Sequence, residues 1–208
     1  MTESQQYGLA IHTSSFQLGL SLSNFVADNS RCQVWDLDKE LATYLHQYLL
    51  DFLVPQTWQD LAFIAVAKGP GSFTSTRIGV VTARTLAQQL DIPLFAISSL
   101  AAFAWSQREF AESDSLIAVE MQATQGQLYG GIYQYSATKS SIFSYLPDAL
   151  MTPQMWQSLL AELPVNYHCF SASSNLGNNV NSLLDLAYQN WQQGKRPHWS
   201  EALPFYGN

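Results

Sequence analysis

Positive charge is scarce in this chain, with nine Lys and Arg against sixteen Asp and Glu and a formal net charge of −7 over 208 residues. Proteins that grip nucleic acid unaided concentrate cations, because affinity comes from displacing counterions from phosphates. This chain cannot do that over a wide surface. If it serves a reaction on RNA, something else holds the RNA. Cysteine is scarce too: Cys32 and Cys169 cannot build a disulfide framework. No close second Cys or His supports either as a metal ligand, so the pair reads as buried thiols of a cytosolic protein. No apolar run approaches the roughly 18 residues that span a bilayer. The opening MTESQQYG has neither a positive n-region nor an apolar signal core.

Catalytic signatures are missing as well. There is no Gly-x-Ser-x-Gly elbow and no His-x-x-x-His, since only Gln47 to Leu50 follow His46. His12, His46, His168 and His198 lack neighbouring Ser or Asp patterns that would single one out. Paired carboxylates are rare in the expected loops.

What is present is apolar: 47% hydrophobic and 13% aromatic residues, enough for a substantial core. YGLAIH at 7 to 12 reads as a buried strand. FQLGLSLS at 16 to 23 alternates and pairs with it as a hairpin across Thr13-Ser14-Ser15. A third strand is expected around Cys32 to Trp35, and a helix over 39 to 53 that Pro55 ends. LAFIAVA at 61 to 67 reads as a buried strand, 75 to 90 as a helix and 92 to 97 as a strand. Ser98 or Ser99 caps a further helix. Hairpin strands followed by alternating strand and helix imply a mixed sheet with helices packed on it. Beyond this lie strands at 116 to 121, 127 to 135 and 167 to 172, and helices at 153 to 162 and 179 to 193. A lobe boundary near 108 to 114 divides the chain into 1–110 and 111–208.

KGPGSFTSTRIG, residues 68 to 79, carries the strongest local signal. Gly69 and Gly71 permit backbone conformations that other residues resist. The amides near Ser72 and Thr74 open a helix, where an anion is favoured. Arg77 in the first turn opposes the helix dipole and calls for a compensating anion, either a carboxylate or a bound phosphate. The loop is no Walker A sequence. A phosphate cradle and a plain strand-to-helix corner both fit it. Thr13 and Ser14 likewise suit either phosphate contacts or an ordinary hairpin turn. On the helix of 39 to 53, Leu45, Tyr48 and Leu49 belong to a stripe wider than one core face needs. Thr82 and Leu86 lie on a helix whose small residues permit close approach. Together they suggest a helix-on-helix partner surface.

AVAKGPGSFTSTRIGVVTARTLAQQLDIPLFAISSLAAFA, residues 65 to 104, strongly resembles the TsaB (YeaZ) family. LAIHTSS at 9 to 15, QATQGQLYGGIY at 122 to 133 and the closing ALPFYGN are looser echoes. The resemblance implies an α/β, actin-like ATPase (ribonuclease-H-like) fold of two lobes, the second reduced. It implies a cytoplasmic, noncatalytic scaffold subunit for synthesis of N6-threonylcarbamoyladenosine at position 37 of tRNA, with no cofactor or metal of its own. The implied partner is a TsaD-type transferase, bound through the first-lobe helices, with a TsaE-type ATPase joining a larger complex. tRNA is reached only through that complex, and a homodimer can use the same surface. His12 replaces the family's Asp, Gln122, Thr124 and Gln125 replace an acid and two arginines, and Asn208 replaces the tail Arg. These departures weigh against the alternative of a small-molecule phosphotransferase, which needs an acidic metal group. No triad or zinc motif supports a peptidase.

Overall fold

The computed structural model describes residues 7–26, 29–112, 114–138 and 140–207. The expectations placed on the first six residues and on Asn208 lie outside them. Residues that bury both faces form the central strands. β1 (Tyr7–His12) and β4 (Leu61–Ala67) are apolar on both sides and lie side by side in parallel. β2 (Gln17–Ser23) and β3 (Ser30–Asp36) add an antiparallel meander on one flank, and β5 (Leu94–Ile97) adds a parallel strand on the other. The order is β3-β2-β1-β4-β5. This is the ribonuclease-H-like arrangement, an antiparallel hairpin unit continued by parallel strands.

Two helices cover one face of this sheet. α1 (Leu41–Leu53) contributes Leu41, Leu45, Leu49 and Phe52, and α2 (Phe73–Leu90) contributes Val80, Ala83 and Ala87, to one core with Leu9, Ile11 and Val66. The other face carries α5 (Val180–Gln192), through Val180, Leu183 and Ala187. Helix α2 begins two residues earlier than its sequence periodicity indicates. It ends on Asp91, whose left-handed backbone (φ 52°) lets its N–H reach the Ala87 carbonyl. Asp is one of the few residues that tolerate this conformation.

The second sheet has the order β8-β7-β6-β9, from β6 (Leu116–Gln122), β7 (Leu128–Ser136), β8 (Ser141–Met151) and β9 (Tyr167–Ser171). α4 (Pro153–Ala161) covers one face through Trp156. α3 (Ser99–Ser106) lies between the sheets: Leu100 and Ala104 pack on the second, Ala102 on the first. The fold is thus the two-lobed actin-like α/β type with a small second lobe. The chain returns to the first sheet with α5, after the second sheet is complete, so that residues 111–208 contribute helices to both.

β8 has no counterpart in the sequence reading, because Pro147 interrupts it. Proline is tolerated there because β8 is an edge strand and the register shifts at Gly131, opposite it. The cysteines also depart from expectation. Cys32 on β3 and Cys169 on β9 are free and exposed, not buried, because both strands lie at sheet edges.

Arg31 closes the end of α1. Its Nε donates to the Phe52 carbonyl (3.0 Å) and its Nη2 to the Leu53 carbonyl (2.7 Å), with the guanidinium 5.3 Å from the centroid of the Phe52 ring. Two otherwise unpaired helix carbonyls are thereby satisfied. Arg31→Ala is expected to lower stability by about 1–2 kcal/mol. The check is a urea midpoint shift at constant m-value.

Candidate functional site

The turn Thr13–Ser15 and the loop Gly69–Ser72 meet at the carboxyl ends of β1 and β4, the position where open α/β sheets bind ligands. The structure joins them tightly. The Ser72 N–H donates to the Ser14 carbonyl (2.8 Å), and Thr13 Oγ1 donates to the Ser75 carbonyl (2.9 Å). A Cβ on Gly71 would stand 2.0 Å from the Ser14 oxygen, and one on Gly79 would stand 2.1 Å from Thr13 Oγ1. Glycine at both positions lets loop and helix seat on the turn. Gly71→Ala would press a methyl group into a backbone carbonyl that cannot turn away. It is expected to cost about 2–3 kcal/mol, a fall in Tm of several degrees by calorimetry.

The predicted phosphate residues therefore come together, but largely facing inward. Thr13 and Ser14 are buried, and Ser14 Oγ has no partner among the described residues. Ser72 Oγ donates to Ser75 Oγ (2.9 Å). Gly69 adopts φ +95°, a conformation suited to glycine, and its carbonyl accepts from Ser99 N–H (2.8 Å). Thr74 is exposed. Arg77 is exposed and pairs with no carboxylate among the described residues; its guanidinium lies 5.1 Å from the centroid of the Phe73 ring.

Beside this junction a cleft of ≈430 Å³ opens between the lobes, lined by Phe16, Gly71, Ser72, Met121, Thr124 and Tyr129 among others. No Asp, Glu, Lys, Arg or His lines it among the described residues. Gln122 and Thr124 are exposed at its second-lobe side, and Gln125 is exposed next in the chain. The sequence reading did not single out Phe16, 59% exposed, or Tyr129, although Tyr129 lies within the QATQGQLYGGIY segment. A tail strap runs behind: the Phe205 N–H donates to the Lys68 carbonyl (2.7 Å), and the Phe205 ring lies 6.0 Å from that of Tyr129. It ties the phosphate-type loop to the second lobe.

His12, at the end of β1, is fully buried. Its Nδ1 accepts from the Ser14 N–H at 3.4 Å, and its Nε2 has no partner among the described residues. Burial lowers its pKa to about 3. A neutral, enclosed imidazole cannot replace a carboxylate on a hard metal ion, which prefers oxygen. Among the described residues no group of three or more His, Cys, Asp and Glu could hold a metal, and no helix is long and apolar enough to cross a membrane.

The anticipated partner surface needs correction residue by residue. Leu45 (0% exposed), Leu49 (2%) and Thr82 (7%) are buried and offer a partner little surface. Tyr48 and Leu86 are half-buried at the margin of the core. The large apolar residues exposed on these two helices are Tyr44, Leu50, Phe73 and Val81.

A family model described as TsaD, tRNA N6-adenosine threonylcarbamoyltransferase, matches residues 50–190. The tRNA threonylcarbamoyladenosine biosynthesis protein TsaB of Bacillus subtilis is 38% identical over 158 residues, 74% of this chain and 66% of that protein. The TsaB protein of Buchnera aphidicola subsp. Schizaphis graminum is 41% identical over 78 residues, 37% of this chain and 36% of that protein. The chain thus spans about two thirds or less of the length of these curated relatives. Among solved structures, YeaZ from Pseudomonas aeruginosa superposes with a TM-score of 0.77 at 22% identity, covering 97% of this chain and 99% of that one. At this identity the likeness speaks for the fold alone.

Proposed function

The chain belongs to the TsaB (YeaZ) family, and from that membership we propose that it serves tRNA N6-threonylcarbamoyladenosine synthesis as a noncatalytic subunit. In this reading it binds and supports a TsaD-type transferase in the cytoplasm. The observation that carries the proposal is the interlobe cleft, whose lining among the described residues has no Asp, Glu, Lys, Arg or His. Phosphoryl transfer works by electrostatic stabilisation of charged oxygens, so a cleft of hydroxyls, methyls and aromatic rings offers it little. The phosphotransferase alternative has the further burden of His12, neutral and enclosed where a metal-binding acid is needed. A TsaE-type ATPase joining the pair, tRNA contact through the complex alone, and a homodimer formed by the chain in isolation belong to the same proposal.

The helices supply its second support. α1 has one acidic residue, Asp51, and no Lys or Arg, while Tyr44, Leu50 and Val81 lie exposed on the two helices. Apolar side chains in such numbers on adjacent helices suit contact with another protein. Light scattering on the chain mixed with the TsaD-type protein of its own organism tests the proposal. A one-to-one complex is the expected result, and no complex with or without ATP overturns it. Magnesium-dependent ATP hydrolysis by the isolated chain would instead favour the phosphotransferase.

A further inference from the structure

A second cavity, of ≈270 Å³, opens at the carboxyl ends of β4 and β5 and is closed by β7 and β8. One wall carries a half-buried carboxylate. Asp148 accepts hydrogen bonds from Ser98 Oγ and Tyr133 Oη, and Ser98 Oγ in turn accepts the Ala101 N–H at the start of α3 (3.1 Å). The backbone makes room for this group. A Cβ on Gly131 would stand 2.5 Å from Asp148 Oδ1 and 3.0 Å from Tyr133 Oη, so a methyl group there would displace the carboxylate. Burial raises the pKa of Asp148, and its hydrogen bonds and the field of Lys68 counter that rise.

Lys68 lines the same cavity. It acts on Asp148 through space, yet the two do not come within the 4.0 Å of an ion pair. Nor does its ammonium donate to any described acceptor. Asn190, also at the wall, is already engaged with the Leu186 carbonyl and Lys195. The cavity lining therefore carries one positive and one negative group that do not pair with each other, together with the apolar Ile97, Ile142 and Leu186.

We propose that this cavity binds a small zwitterion of the α-amino-acid kind, with its carboxylate on Lys68 and its ammonium on Asp148. A simple anion would be repelled by Asp148 and a simple cation by Lys68. An uncharged molecule would cover the Lys68 ammonium, which has no described acceptor, without giving it a counter-charge. A zwitterion satisfies both at once, and its side chain meets the apolar wall. The site stands apart from the cleft at Ser14 and from the exposed faces of α1 and α2, so it is independent of the partner reading.

Isothermal titration of the full chain with glycine, L-serine and L-leucine tests this, against serinamide, which lacks the carboxylate, and 3-hydroxypropionate, which lacks the ammonium. At least one amino acid is expected to bind, and each serine analogue to bind about tenfold or more weakly than L-serine. Lys68→Met should lower amino-acid affinity to the level of the amide. Asp148→Asn, close in shape, should erase discrimination against 3-hydroxypropionate. No heat with any amino acid at millimolar concentration, equal affinity for serine and its analogues, or unchanged binding by Lys68→Met would each overturn the proposal. If Asp148→Asn fails to fold, Lys68→Met still decides, because only the Lys68 backbone joins strand β5 and the tail.

Discussion

Lowering the pH from 7 to 5 is expected to reduce the unfolding free energy by about 2 kcal/mol through His12 alone, at ~1.36 kcal/mol per unit. The imidazole is fully buried, and burial depresses its pKa from 6.5 to about 3. In the unfolded chain it takes up a proton as the pH falls through 6.5; in the folded chain it does not until near 3. The unfolded state therefore binds more protons across that window. Stability is present above pH 6.5 and is lost progressively below it. Carboxylates add their own acid dependence at lower pH, so the measurement is a difference. His12→Asn keeps an acceptor for the Ser14 N–H but cannot charge. Urea denaturation of both proteins from pH 7 to 5 should give converging stabilities, with wild type losing the ~2 kcal/mol that the variant retains. Parallel curves would mean that His12 is protonated in the folded protein, and would reopen the site to a charged role.

The sequence made the first lobe legible because its strands are buried on both faces. An unbroken apolar run such as LAFIAVA has few other fates between a turn and a glycine loop. β8 was hidden for the opposite reason. Its exposed face carries Phe143 and Tyr145, Pro147 denies it a ladder bond, and the Gly131 register shift that accommodates Pro147 is a tertiary event. With β8 went Asp148, the one carboxylate the structure draws into a polar cluster with Ser98 and Tyr133. At the phosphate-type loop, residue types were legible but directions were not. Hydroxyls at 13 and 14 suit phosphate contacts or an ordinary hairpin turn, and the residue types alone do not give their directions. The available signal was Gly79, since glycine inside a helix costs about 1 kcal/mol and implies a close neighbour. That neighbour is Thr13.

The same limit governs the helices, and it sets the prediction with the largest effect on assembly. A wide apolar stripe on α1 shows that a helix has more greasy surface than its own sheet needs, but not which edge is left over. The structure assigns Leu45 and Leu49 to the core and leaves Tyr44 at 42%, Leu50 at 52% and Val81 at 60% exposure. Val81→Arg should fold as wild type, because its side chain already meets solvent. At a partner interface it would desolvate an unpaired guanidinium, and affinity for the TsaD-type protein should fall about 100-fold or more, at ~1.4 kcal/mol per factor of ten. Leu45→Ala is the contrasting control. It empties volume in the core and should cost about 2–5 kcal/mol of stability. It should weaken the complex only to the extent that the chain unfolds. Unfolding curves and binding isotherms on both variants separate the cases. A folded Val81→Arg protein that binds as tightly as wild type would remove the α2 surface around Val81 from the interface.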